Sequence, residues 1–152
     1  MGPTGISRYK SVQVNTASPG ELLLMLYDGL FRFINEAIVS LHEKNRARTG
    51  ERIDRAHAIL GELVSGLDSR YAPELCENLE ALYLFCMGRL VDANLQQNPV
   101  ALEEVLRVLT PLRDGWHIVI RGEGAPVEVK DEAKDGEAKP ADVLQTTPQV
   151  TP

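Results

Sequence analysis

The sequence is poor in aromatic residues, which make up 5% of its 152 positions. Its β-branched residues do not form the alternating apolar and polar runs that are typical of strands, so the pattern favours helices. The longest unbroken apolar run, residues 81–87, is far shorter than the roughly 20 residues that a membrane span requires. The N-terminus lacks the apolar segment of a secretory signal peptide. We therefore expect a helical protein that does not insert into membranes.

Basic residues are fewer than acidic ones. The sequence has 16 Lys and Arg and 22 Asp and Glu, which gives a formal net charge of −6. A nucleic-acid-binding protein needs a basic surface to displace counterions from phosphate, so this class is excluded. The acidity is uneven, since residues 123–152 carry seven acidic and three basic residues. The only cysteines, Cys76 and Cys86, fall in one predicted helix about 15 Å apart, too far for a disulfide. Reduced thiols and a cytoplasmic location are the expectation.

Start and stop signals divide the chain into four predicted helices. Ser18 can cap the first helix, with Pro19 at its first position and Glu21 completing a capping box. Thr49 is the predicted cap of the second helix, and Asn98 precedes a proline at the start of the fourth. The predicted helices cover residues 19–43, 50–69, 73–97 and 99–121, with a polar loop at residues 44–50. Pro111 is expected to kink the last helix.

Short connections between four helices predict an all-α fold, an antiparallel up-and-down four-helix bundle. The bundle should occupy residues 18–122. Residues 1–17 should form an extended N-terminal arm, and residues 123–152, rich in Pro, Lys, Asp and Glu, an acidic disordered tail.

The third predicted helix has apolar residues on two nearly opposite sides, and the first is apolar around about half its circumference. On the third helix one side carries Leu79, Leu82, Cys86, Leu90 and Ala93, and the other carries Leu84, Met87, Val91 and Leu95. A single bundle core cannot cover both sides. Large exposed apolar patches usually mark interaction sites. The second side should therefore be covered by the arm, a second copy of the chain or an amphipathic partner helix.

Sites for chemistry are lacking. The sequence has no metal-ligand cluster, phosphate-binding loop or nucleophile motif, so we predict no catalytic residues, no metal and no cofactor. One alternative is open, because residues 56–61 resemble the His-x-x-Lys-Gly element of histidine phosphotransfer domains around His57. Leu60 stands where that element has lysine, and a plain surface histidine is the favoured interpretation.

A resemblance to a known family begins at the first predicted helix. Residues 16–29 read TASPGELLLMLYDG, and this run resembles the signature of the flagellin export chaperones, the FliS family. Weaker similarities precede this run at residues 6–12 and follow it at residues 55–68, 82–94 and 112–116. The resemblance spans about residues 5–116, and the acidic tail lies beyond it.

The resemblance implies a cytoplasmic chaperone, not an enzyme. Its client would be the C-terminal segment of flagellin, which is disordered in the monomer and helical in the filament. By occupying that segment, the chaperone would block premature polymerisation and aid delivery to the flagellar type III export apparatus. A component of the export gate is a further expected partner. By the same analogy, the arm would cover the client site through Ile6 and Tyr9 until flagellin displaces it.

The predicted flagellin-binding residues come from the two-sided helices and the arm: Ile6, Tyr9, Tyr27, Asp28, Gly29, Leu84, Met87, Val91, Asn94 and Leu95. Asp28 and Asn94 are as well explained by capping or contacts between helices, and Tyr27 and Gly29 by a structural role. Two other interpretations stay open. The arm alone could complete a monomeric core, or the client-free chain could form a homodimer through Leu84, Met87 and Val91.

Overall fold

The computed structural model describes residues 17–122, which form four α-helices joined by short loops. The helices are α1 (Pro19–His42), α2 (Arg46–Ser65), α3 (Pro73–Gln96) and α4 (Pro99–Arg121). Packing is cyclic, since α1 contacts α2 and α4, and α3 contacts the same two helices. The predicted all-α four-helix bundle is confirmed. The predicted arm, with Ile6 and Tyr9, and the predicted acidic tail lie outside the described residues.

Contacts between helix ends show that α1 and α4 are antiparallel. Arg121 at the end of α4 lies 3.2 Å from Glu21 at the start of α1. A Cβ atom on Gly20 would come within 2.9 Å of the Ile120 side chain, so glycine permits this close approach. Both ends of the described chain therefore leave the bundle at the same end.

Capping accounts for where α1 and α4 begin. The Ser18 hydroxyl accepts a hydrogen bond from the backbone N–H of Glu21 at 3.1 Å, as predicted. The Glu21 carboxylate pairs with Arg121, so the predicted capping box is only half formed. At α4 the Asn98 side chain accepts from the N–H of Val100 at 3.0 Å. Such caps satisfy donors that the first helical turn leaves without partners.

The prediction for the start of α2 was wrong. The helix begins at Arg46 and its cap is Asn45, whose side chain accepts from the N–H of Arg48 at 3.1 Å. Thr49 is fully buried inside the helix, where its hydroxyl donates to the Asn45 carbonyl and lies 3.0 Å from the Ser40 hydroxyl. Thr49 thus joins α1 to α2 through a buried polar contact. By sequence alone, Asn45 and Thr49 are both suitable caps in this polar segment. The buried contact of Thr49 with Ser40 places Thr49 inside the helix and leaves Asn45 as the cap.

The end of α2 was also misplaced, because the helix stops at Ser65 and not near Ser69. Beyond Gly66 the Asp68 carboxylate accepts from the backbone N–H of Arg70 at 3.1 Å and pairs with its guanidinium. This local turn competes with the helix. Pro111, which was expected to kink the last helix, lies inside α4. The helix continues beyond it to Arg121, and Pro111 is exposed on the outer side of the helix.

The core is made by one face of each helix. Its fully buried large side chains come from all four helices: Tyr27, Leu30, Ile34, Leu60, Tyr83, Leu90, Leu102, Val105, Leu109 and Leu112. On α3 the sequence pattern had placed Leu82 in the core, but Leu82 is half-buried and its neighbour Tyr83 is 2% exposed. Helical periodicity fixes the buried side to within about one residue, and packing selects which neighbour fills it.

Candidate functional site

The outer face of α3 carries a row of exposed apolar side chains. Leu84 is 51% exposed, Val91 44% and Leu95 71%. The small residues Ala81 and Gly88 are exposed in the same row. The five positions are spaced alternately by three and four residues, which is the spacing of a coiled-coil seam. We call these five residues the α3 stripe.

The opposite face of the same helix is in the core, which leaves the α3 stripe without an intramolecular cover among the described residues. The buried residues of α3 are Leu79, Tyr83, Cys86, Leu90 and Ala93. The expectation that α3 is apolar on two sides is therefore met by Leu84, Val91 and Leu95. Met87 differs, because it is half-buried and packs against the core at the edge of the stripe.

Sequence reasoning missed Phe85, which is 43% exposed beside Leu84. A signal was present in the sequence, since residues 81–87 form the longest apolar run. Seven consecutive apolar residues cover nearly two turns of a helix, so some of them must point away from any single core. Phe85 lies on the α4 side of the stripe by helical position and widens the apolar surface.

The predicted site residues of α1 do not join the α3 stripe. Tyr27 is completely buried, so its side chain presents no surface to a client. Gly29 faces α2, where an added Cβ would lie 3.3 Å from the Ile59 side chain. Asp28 is exposed, but α1 is diagonal to α3 in the bundle. Only a client that wraps around the bundle could contact both Asp28 and the α3 stripe.

Asn94 lies at the seam between α3 and α2. It is half-buried, and a Cβ added to Gly50 of α2 would be 3.7 Å from the Asn94 amide. This position places Asn94 in the contact between the two helices and close to one end of the stripe. The contact between helices accounts for Asn94 without a client.

Tyr27 belongs to a buried polar cluster at the centre of the bundle. Its hydroxyl lies 2.6 Å from the Tyr83 hydroxyl and accepts a hydrogen bond from the Trp116 indole N–H at 3.3 Å. The cluster therefore connects α1, α3 and α4. Burial raises the pKa of Tyr27 well above its usual value and raises the pKa of Tyr83 to about 12. Both phenols are neutral at physiological pH, and their role is to hold the helices in register.

The described residues hold no cluster of metal ligands, and one of their two thiols is buried and inert. Among residues 17–122, no group of three or more His, Cys, Asp and Glu could hold a metal ion. Cys76 and Cys86 are both free thiols. Burial, with a smaller effect from the nearby Glu104 carboxylate, raises the pKa of Cys86 to about 12, so this thiol is inert. In the same part of the chain no helix has the length and apolar character needed to cross a membrane.

The phosphotransfer interpretation gains no support from the position of His57. His57 is half-buried on α2, and the neighbouring Leu60 is completely buried in the core. Because the lysine position of the resembled element points into the core, a lysine there could not reach a phosphate on His57.

Comparison with known proteins decides the family. The family model described as "Flagellar protein FliS" matches residues 3–123. The chain belongs to the FliS family. A "Flagellar secretion chaperone FliS" from Bacillus subtilis is 36% identical over 115 residues, which cover 76% of this chain and 85% of that protein. A protein of the same name from Salmonella typhimurium is 33% identical over 118 residues, covering 74% and 87%. The family predicted from the sequence is confirmed.

The run at residues 16–29, which resembles the FliS signature, contains several residues with structural roles. Ser18 caps the helix, Leu24 is 1% exposed, and Tyr27 is in the central polar cluster. The FliS match ends at residue 123, so the acidic segment that follows lies beyond the part shared with the family. The run that carries the resemblance is thus distinct from the exposed apolar surface.

Proposed function

We propose that this FliS protein is a cytoplasmic flagellar secretion chaperone that binds the C-terminal segment of flagellin on the α3 stripe. Binding would prevent premature polymerisation and keep the subunit ready for delivery to the flagellar type III export gate. The observation that carries the proposal is the row of Leu84, Val91 and Leu95, exposed at 51%, 44% and 71% on a chain of net charge −6. The membership in FliS and the chaperone names of the relatives support the same role.

The spacing of the α3 stripe suits a helical client. Residues at alternating steps of three and four stay on one side of a helix, and a second amphipathic helix can pack along such a row. A segment that is disordered when free can gain its helical structure on this surface, which lets it cover a long row with contacts. Phe85 and the half-buried Met87 extend the surface on its two sides, and methionine adapts readily to a partner's shape.

The experiment places charge on the α3 stripe and on a matched site elsewhere. The test variant is Leu84→Glu/Val91→Glu. The control is Val39→Glu, because Val39 is 55% exposed on α1, which is diagonal to α3. Binding to purified flagellin, intact or truncated at its C-terminus, is measured by calorimetry and size-exclusion chromatography. Circular dichroism and thermal melting check that each variant is folded.

We expect wild type and Val39→Glu to bind intact flagellin and to lose binding when its C-terminal segment is removed. The test variant should bind at least about a hundredfold more weakly, because a carboxylate would be buried without a partner. Equal affinity of the test variant and wild type would place the client elsewhere on the molecule. Undiminished binding to truncated flagellin would contradict the proposed client segment.

A further inference from the structure

The positive charge of the described residues is concentrated on the outside of α1 and α2. Residues 32–55 hold six basic and four acidic side chains, a net charge of +2. The rest of residues 17–122 hold five basic and eleven acidic side chains, a net charge of −6. One region of an acidic bundle is therefore positive. We call its six basic residues the basic patch: Arg32, Lys44, Arg46, Arg48, Arg52 and Arg55.

Three arginines of the basic patch converge on the ring of Phe33. Arg32 of α1 lies 4.5 Å from the ring centroid, and Arg55 and Arg52 of α2 lie 5.7 and 5.9 Å from it. Phe33 is half-buried and packs against the core, so it is a fixed support for the three guanidinium groups. Guanidinium groups stack favourably on aromatic rings. The contact therefore holds like charges from two helices side by side at the seam between α1 and α2.

The neighbouring carboxylates neutralise these arginines only in part. Glu36 lies 2.8 Å from Arg52 and 3.8 Å from Arg32, and Glu51 lies 3.0 Å from Arg55. Two carboxylates are thus shared among three guanidinium groups. The Arg32 and Arg55 side chains are 56% and 58% exposed, so both have N–H donors that face solvent. Exposed side chains extend the patch to the loop between the two helices: Lys44, Arg46 and Arg48.

We propose that the basic patch binds an acidic segment of the same chain, residues 131–137. The segment reads DEAKDGE and holds four acidic side chains and one lysine, a net charge of −3. A carboxylate accepts two parallel N–H bonds from a guanidinium group, which makes arginine a well-matched partner for such a segment. The FliS match ends at residue 123, so the segment lies beyond the part shared with the family. The proposal does not depend on the client or on where the client binds.

The segment is near enough along the chain to reach the patch. The last residue of α4, Arg121, pairs with Glu21 at the start of α1. Arg32 is eleven residues further along α1, which is about 16 Å by the helical rise. The ten residues from 121 to 131 span up to about 33 Å when extended, so the segment can reach both Arg32 and Arg55. Because segment and patch belong to one chain, the effective concentration of the segment at the patch is high.

The contact consists of exposed ion pairs. Such pairs are individually weak and are screened by salt, so several must form together and the contact must weaken as ionic strength rises. The patch lies on α1 and α2, and α1 is diagonal to α3 in the bundle. A segment bound at the patch therefore leaves the α3 stripe uncovered, and a client can bind there at the same time.

A spin label on the segment tests the contact in the full-length protein. Ala133→Cys carries the label in a Cys76→Ser background, where the remaining Cys86 is completely buried and does not react. Paramagnetic broadening of backbone amide signals is measured by NMR at residues 32, 52 and 55 of the patch and at residues 82–86 of α3. The helix α3 packs against α4, whereas α2 is diagonal to α4. A segment that is tethered at the end of α4 and has no preferred site would therefore broaden α3 at least as strongly as α2.

We expect the label to broaden the patch amides strongly and to leave residues 82–86 unaffected. The broadening should be lost at about 0.5 M salt, where the Debye length falls to roughly 4 Å. Equal broadening of α2 and α3 would overturn the proposal, and so would broadening of the patch that salt does not reduce. No flagellin is present in the sample, so the result does not bear on the proposed function.

Charge variants of the bundle identify the groups that bind. Arg32→Glu/Arg55→Glu should abolish the broadening at residue 52, because the segment would meet carboxylates in place of guanidinium groups. The control is Arg70→Glu/Arg107→Glu, which changes the net charge equally at exposed positions outside the patch and should keep the broadening. Circular dichroism checks that both variants are folded. Loss of broadening in the control would mean that net charge and not the patch attracts the segment, which contradicts the proposal.

A variant of the segment leaves the bundle unchanged, so it tests the contact even if the arginine variant is less stable. Its four acidic side chains are made neutral together: Asp131→Asn, Glu132→Gln, Asp135→Asn and Glu137→Gln. The broadening at the patch should fall to the level at residues 82–86. Broadening that persists without these carboxylates would overturn the proposal.

Discussion

Truncation of exposed and buried leucines on the same helix should separate client binding from stability. In Leu84→Ala/Leu95→Ala the two side chains are 51% and 71% exposed in the free protein. A client that covers them removes from water slightly more than the area of one fully exposed leucine. Full burial of a leucine is worth about 1.5–3 kcal/mol, so the double variant should lose about 2 kcal/mol of binding, or roughly thirtyfold in Kd.

The matched variant is Leu90→Ala, whose side chain is completely buried on the core side of α3. It should lower the free energy of unfolding by about 2–5 kcal/mol, because it leaves a cavity, and the folded fraction should bind the client normally. Leu84→Ala/Leu95→Ala should lose less stability than Leu90→Ala despite removing two side chains. Urea denaturation and calorimetric titration with flagellin measure the two effects. A double variant that loses stability but keeps its affinity would refute the reasoning, because the exposed leucines would then serve the core.

Two further predictions concern the central polar cluster. Tyr27→Phe should lower the free energy of unfolding by about 1–3 kcal/mol, because it leaves the Tyr83 hydroxyl and the Trp116 N–H without their partner. Urea denaturation of Tyr27→Phe, Tyr83→Phe and the double variant should show that the double variant loses less than the sum of the two single losses. Strictly additive losses would contradict the coupling of the two hydroxyls. The free energy of unfolding should also fall as pH rises from about 9 to about 12. Burial raises the pKa of Tyr83 and of Cys86 to about 12 in the folded protein. The unfolded chain releases the same protons at lower pH, so rising pH favours the unfolded state in this range. For Tyr83 alone the loss is roughly 2–3 kcal/mol, so Tyr83→Phe should have a flatter pH profile, and an unchanged profile would contradict the assignment.

The helix pattern and the family could be predicted from sequence, because both depend on short segments. The pairs Ser18-Pro19 and Asn98-Pro99 fix two helix starts through contacts within one turn. The start of α2 could not be predicted, because it depends on Thr49 meeting Ser40 of another helix. Local capping signals allow several starts in a polar segment, and a distant contact selects one of them.

The candidate site was predictable only where it depends on the geometry of a single helix. Leu84, Val91 and Leu95 were identified because a single helix cannot turn all of its apolar residues toward one core, and this follows from helical geometry alone. Tyr27 had been grouped with them, although it forms the buried hydrogen bond with Tyr83 from another helix. Sequence cannot distinguish an apolar residue that awaits a partner from one that already has a partner across the bundle.

The sequence by itself therefore determined the helices, their two-sided apolar pattern and the family, since each is written in residues that lie within a few turns of one another. Only the tertiary structure decided that Tyr83 and not Leu82 is buried on the core side of α3, where α2 begins and why Tyr27 belongs to the core. These depend on side chains brought together from helices far apart in the chain, and the free energy of packing them depends on their complementary shapes and on satisfying their buried polar groups.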